Sequence, residues 1–124
     1  MKKYYGLLIL LCITVFSICL SSCSKEEDEE ATYTLKWQSY ASFVDDVYIF
    51  EYSESGDKIA SNEVGKPSTS QSYKFTANKR AVKVKVYYEF DGTPMWIQQV
   101  FYLEKGKNID IVVNGETMVG RKEP

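Results

Sequence analysis

The 124-residue chain contains no histidine, and its three cysteines, Cys12, Cys19 and Cys23, all fall within the first 23 residues. Everything after Cys23 therefore lacks the side chains that most often shuttle protons near neutral pH or ligate zinc. It also cannot close a disulfide within itself, so a fold there must stand on packing alone. There is no Gly-rich phosphate loop, and no window repeats apolar residues at helical spacing. An excess of either charge is missing after the acid run as well. Three of the 15 basic and five of the 17 acidic residues precede Ala31, which leaves twelve of each in residues 31–124. A neutral domain argues against nucleic acid as a partner, because phosphate binding wants a basic face.

Long hydrophobic runs are scarce too. The longest, Gly6 to Leu20, is uncharged but spans only 15 residues, against roughly 20 for a bilayer-crossing helix. Lys2 and Lys3 precede it and small residues follow, which is the layout of a secretory signal peptide. The site that ends it, Leu20-Ser21-Ser22-Cys23, resembles the bacterial lipobox: an aliphatic residue, two small residues, then Cys. The resemblance implies that the Cys23 thiol is lipidated and that the chain is cut before it. Cys12 and Cys19 follow Leu11 and Ile18 and do not fit the pattern. One acyl chain binds a membrane marginally, whereas the two or three carried by such a cysteine anchor stably.

Lys25 to Glu30 holds one lysine and five acids. Such a run reads as a solvated, self-repelling tether. Beside a lipidated cysteine it also resembles the export signal of surface lipoproteins in Bacteroidota-type bacteria, which implies an outer-membrane protein facing the cell exterior. The expected organisation is a signal peptide at 1–22, a lipidated Cys23 with an acidic tether at 23–30, and one domain at 31–124.

That domain reads as about seven short strands. Tyr33, Leu35 and Trp37 alternate with polar residues, the period of a half-buried strand. Ser39 to Asp45 is a loop, and Val47 to Tyr52 is a β-branched and aromatic strand with both faces partly covered. A hairpin turn at 53–57 leads to a weak strand over 58–64. Residues 65–69 break the pattern, and Ser72 to Thr76 alternates again. Arg80 to Phe90 is the clearest strand, with Val82, Val84, Val86, Tyr88 and Phe90 on one face. Asp91 to Pro94 is a turn, Met95 to Leu103 a long apolar strand, and Glu104 to Lys107 a tight turn. Ile109, Ile111 and Val113 alternate in the last strand, and Glu116 to Pro124 forms a short extension or tail. Strands at this spacing predict an all-β, two-layer antiparallel sandwich, immunoglobulin-like or transthyretin-like. The segment from Trp96 to Thr117 is similar to the closing hairpin of many small lipoproteins of that bacterial group.

If successive strands reverse direction, loops fall alternately at the two ends. The tether then shares an end with the turns at 53–57, 77–79 and 104–107, while the loops at 39–46, 65–69 and 91–94 lie at the far end. Binding residues concentrate on loops held by a rigid scaffold, which makes Tyr40, Phe43, Asp45, Asp46, Asp91 and Thr93 candidates. The competing reading has Tyr40 and Phe43 capping the core and the aspartates forming turns. Aromatic rings also stack on sugar faces and recur at protein interfaces. Trp37, Trp96, Tyr87 and Tyr102 are candidates for such a platform, although Trp37 and Trp96 are expected in the core and Tyr87, between Lys85 and Glu89, outside it. Asp45, Asp46 and Asp91 match no calcium loop, and so small a sandwich offers little room for the facing carboxylates of a glycosidase. The expectation is a non-catalytic module without metal or cofactor, binding a glycan or protein; the alternative is an accessory subunit of an outer-membrane complex. Replacing Lys25 to Glu30 by neutral residues is expected to remove the chain from the cell exterior. Protease treatment of intact cells checks this, and unchanged accessibility would contradict it.

Overall fold

A computed structural model of the chain describes residues 29–124 except Tyr40. Cys23, the lipobox-like motif and the acid run up to Asp28 lie outside the described residues, as does Tyr40. The fold is an all-β, two-layer sandwich. Its strands are β1 (Thr32–Trp37), β2 (Val44–Ser53), β3 (Lys58–Gly65), β4 (Ser72–Thr76), β5 (Ala81–Phe90), β6 (Thr93–Ile97), β7 (Phe101–Tyr102), β8 (Asn108–Val113) and β9 (Val119–Gly120). The small sheet has the order β4-β1-β8. The large one has the order β3-β2-β5-β6-β9, with β7 also on β5.

The expected strands are all present, with three corrections. The run from Met95 to Leu103 breaks at residues 98–100 into β6 and β7, and the expected extension after Glu116 contributes β9, which pairs with Trp96 and Ile97 of β6. One pair is parallel: β1 runs alongside β8 from Thr32↔Asn108 to Trp37↔Val113. The cause is arithmetic. Because β6 and β7 both run antiparallel to β5, the chain makes seven passes from β1 to β8, and the first and seventh point the same way.

The turn at Asp91 to Pro94 is shorter than expected. Asp91 and Gly92 have φ of 49° and 79°, and Phe90 already pairs with Thr93. Positive φ at both central residues marks a two-residue type I′ hairpin, which Asp-Gly favours. Thr93 and Pro94 therefore belong to β6. Pro94 is tolerated opposite Glu89 because β9 joins β6 only from Trp96 onward, which leaves an edge where no N–H is needed.

The core lies between the sheets. Tyr33, Leu35, Trp37, Ile111 and Val113 of the small sheet meet Val47, Ile49, Val84, Val86, Tyr88 and Ile97 of the large one. Trp37 crosses Tyr88 edge to face at 5.2 Å and 81°. Among the described residues, its indole Nε1 is buried without a hydrogen-bond partner. The five-residue apolar face expected on β5 is buried only at Val84, Val86 and Tyr88. Val82 and Phe90 are exposed near the strand ends, and Ala81 is buried instead.

β2 departs from plain alternation at one point. Asp45 pairs with Glu89 and Tyr48 with Tyr87, so Asp46 and Val47 together face one β5 residue. This is a β-bulge, with Asp46 in the left-handed region at φ 51°. It lets Val44 and Val47, three apart, both point inward. From there the strand alternates, with Val47, Ile49 and Glu51 inside and Tyr48, Phe50 and Tyr52 on the other face.

Glu51 is 1 % exposed, a carboxylate inside the sandwich. It accepts hydrogen bonds from Tyr33 Oη at 2.6 Å, Asn62 Nδ2 at 3.0 Å and the Asn78 backbone N–H at 2.7 Å. Asn62 also donates to Tyr33 Oη. Burial first, then the bond to Glu51 and its charge, hold the Tyr33 hydroxyl protonated far above the ordinary tyrosine range. Three donors from three parts of the chain thus make the burial tolerable. Tyr33→Phe leaves the carboxylate one donor short, and a destabilisation of about 1–3 kcal/mol is expected, read from urea unfolding midpoints at unchanged slope.

Candidate functional site

The alternation of β2 sets up the outer face of the large sheet. Register carries it across the sheet: Tyr48 lies opposite Tyr87, and Tyr87 opposite Trp96. Phe50 is two residues along from Tyr48 on the same face. The rings of Tyr48 and Phe50 are parallel to within 3°, with centroids 6.0 Å apart. Trp96 meets Tyr87 at 5.1 Å and Phe50 at 5.7 Å, and Tyr87 lies 6.3 Å from Tyr48 and 6.2 Å from Phe50. All four rings are half-buried by one another and open on one side. Such pairs add about 0.5–1.5 kcal/mol each beyond the area they cover, which holds the rings in place before any ligand arrives.

This cluster corrects the expectation for Trp96. The two-residue turn at Asp91-Gly92 places Met95 and Ile97 toward the core side and Trp96 outside. Of the four expected platform residues, Tyr87 and Trp96 come together. Trp37 is in the core, 2 % exposed, and Tyr102 is 68 % exposed opposite Lys83. Tyr48 and Phe50 were missed. The signal for them is the alternation of Val47, Ile49 and Glu51 with Tyr48, Phe50 and Tyr52, in which the glutamate takes the inner position and the aromatics the outer.

Charge is segregated along this face. Toward the far end the Tyr48 hydroxyl is 3.5 Å from Glu63 and the Tyr87 hydroxyl 3.4 Å from Glu89. The Glu63 carboxylate, with burial and Asp46 behind it, pushes the Tyr48 hydroxyl above its ordinary range. Burial and then Glu89 do the same for Tyr87. At the other side Lys58 Nζ sits 3.9 Å from the centre of the Phe50 ring, and Lys85 Nζ sits 4.6 Å from that of Tyr52.

The segment after β9 lies against this basic side. Gln98 Nε2 donates to the Lys122 carbonyl at 2.8 Å. The Tyr52 hydroxyl donates to Glu123 Oε1 at 2.5 Å, and Lys85 Nζ is 3.6 Å from the same oxygen. Tyr52 is pushed well above the tyrosine range by burial and by this carboxylate.

The far-end residues also gather, but as a different surface. Asp91 N donates to the Phe43 carbonyl at 2.8 Å, Asp45 stands opposite Glu89 and Thr93 opposite Phe90. Phe43 and Phe90 pair at 6.1 Å, 58 % and 42 % exposed. Phe43 thus does not cap the core, while Asp46 and Asp91 hold left-handed backbone positions at the bulge and the turn. At the opposite end, Ala77 N bonds the Ala31 carbonyl and Gly106 N that of Glu30, so residues 30–31 meet two of the three turns expected beside the tether, 77–79 and 104–107. A groove of about 910 Å³ there is lined by both charges, including Asp57, Arg80 and Lys105.

Searches of family models, curated proteins and solved structures found no match to the chain.

Glu123 gives the face a pH dependence of defined sign. The Tyr52 bond first, then the Lys85 and Lys58 charges, hold its carboxyl below the ordinary 4.5. A depressed carboxyl stabilises the docked segment above the undocked value, and the contribution is lost as pH falls through the docked one. NMR titration of Glu123 is expected to give a midpoint below 4.5, moving up in Tyr52→Phe.

Proposed function

We propose that the chain is a lipid-anchored surface lipoprotein whose sandwich is a non-catalytic binding module, and that it meets a glycan or protein partner through the outer aromatic face of the large sheet. One observation carries the reading: Tyr48, Phe50, Tyr87 and Trp96 share the solvent side of three adjacent strands, where core formation gives no reason for them. A cluster of four aromatic side chains on the outside of a small domain marks an interaction surface. The partly exposed, parallel rings of Tyr48 and Phe50 favour a sugar, whose C–H face stacks on them. The site lies on strands rather than loops, so little order is lost on binding. The anchor itself rests on Cys23 and the residues before it, and the exterior orientation on the acid run.

A second reading, an accessory subunit docked on a larger outer-membrane complex, is favoured by a different surface. Beside the β8 edge, the exposed side chains of Val112 and Met118 line a cleft of about 320 Å³. Co-purification with a membrane partner after gentle extraction, abolished by a charge at Val112, would favour that reading over the first.

Affinity electrophoresis of the chain against soluble polysaccharides tests the aromatic face. Trp96→Ala and Tyr87→Ala are each expected to weaken binding about tenfold, while Phe43→Ala leaves it unchanged. Loss on Phe43→Ala with none on Trp96→Ala would move the site to the far-end loops.

A further inference from the structure

We infer that the outer face is built for a glycan bearing a carboxylate, a uronic-acid sugar, and that Glu123 occupies the carboxylate subsite until such a ligand displaces it. The inference rests on the binding-module reading and narrows its ligand class.

The receiving half of the subsite belongs to the sheet. Tyr52 is 4 % exposed on β2. Lys85, on β5, keeps a side chain only 13 % exposed and lies over the Tyr52 ring. Together they present a hydroxyl donor and an ammonium to one carboxylate oxygen, a charge-assisted pair of the kind that selects anions. Lys58 adds a second positive charge from β3. The occupant is held far less firmly. Residues 121–124 follow a two-residue strand, and Glu123 is 44 % exposed.

The subsite adjoins the rings. Lys85 faces Phe50 across the ladder and is two residues from Tyr87, roughly 7 Å along a strand. That is the span of a pyranose ring and its exocyclic carboxylate. A sugar stacked on the rings would therefore bring its acid group to Tyr52 and Lys85.

The acids toward the far end decide between an acidic sugar and an acidic peptide. Asp46, Glu63 and Glu89 stand beside the Tyr48 and Tyr87 hydroxyls. A peptide rich in carboxylates would meet repulsion there. The hydroxyls of a sugar would instead donate to those acids. One negative end and several neutral donors match a face that is cationic on one side and acidic on the other.

Isothermal titration of the mature lipidated chain in detergent tests this. The probes are oligosaccharides of galacturonate, glucuronate and mannuronate, their carboxyl-reduced counterparts and a poly-glutamate peptide. At least one uronate is expected to bind about tenfold or more tighter than its reduced counterpart. Lys85→Met should remove that difference. Glu123→Gln should strengthen uronate binding several-fold, and bound uronate should return the Glu123 titration toward its ordinary value. Equal binding of acid and reduced sugars would overturn the carboxylate subsite while leaving the aromatic platform standing. Tighter binding of poly-glutamate than of any uronate would overturn the sugar assignment. If no oligosaccharide bound, acid or reduced, both the inference and the glycan reading beneath it would fall.

Discussion

The carboxylate of Glu51, bound inside the sandwich by Tyr33, Asn62 and the Asn78 amide, is the constraint on which the rest depends. A strand has two faces and a period of two, so placing one residue places all of them. With Glu51 inside, Val47 and Ile49 are inside too, and Tyr48, Phe50 and Tyr52 must face out. A slip of one residue would turn three aromatic rings toward the core, but it would also strip the Glu51 side chain of three donors. The donors come from β1, from β3 and from the turn before β5, so they tie both sheets to one register. The bulge at Asp46 works in the same direction, since it resets the phase of β2 before the aromatics begin.

From that register the functional surface follows by pairing. β5 contributes Tyr87 and Lys85 because they lie opposite Tyr48 and Phe50. β6 contributes Trp96 because the Asp91-Gly92 turn is two residues long. Packing forms the core and hydrogen bonding sets the register, and together they leave a half-buried aromatic cluster on the outside of a domain with no disulfide. The segment around Glu123 then covers the basic side of that cluster, so part of the face is masked by the chain itself.

Much of this was legible in the sequence. The strands and their reversals follow from alternation and from turn residues, and the grouping of loops at two ends follows from the reversals. Tyr33, Leu35, Trp37, Val84 and Val86 announce their inward face locally. Trp96 did not, because its face depends on the length of the preceding turn, and Pro94 suggested a longer one. Val82 and Phe90 continue a perfect alternation yet lie near the exposed ends of β5. Glu51 was least legible of all. A glutamate in an aromatic strand reads as the solvent side, and only donors distant in sequence make the opposite arrangement stable. Read as a strand with both faces partly covered, Val47 to Tyr52 did not show which of its aromatics face outward.

The two tryptophans offer the most direct measurement, since one lies in the core and the other on the outer face. In a Trp37→Phe chain, Trp96 is the remaining indole, and its emission should shift when a bound polysaccharide covers the face. In a Trp96→Phe chain the emission comes from Trp37, between the sheets, and should stay constant under the same addition. A ligand that shifts Trp37 emission and leaves Trp96 unchanged would contradict the account.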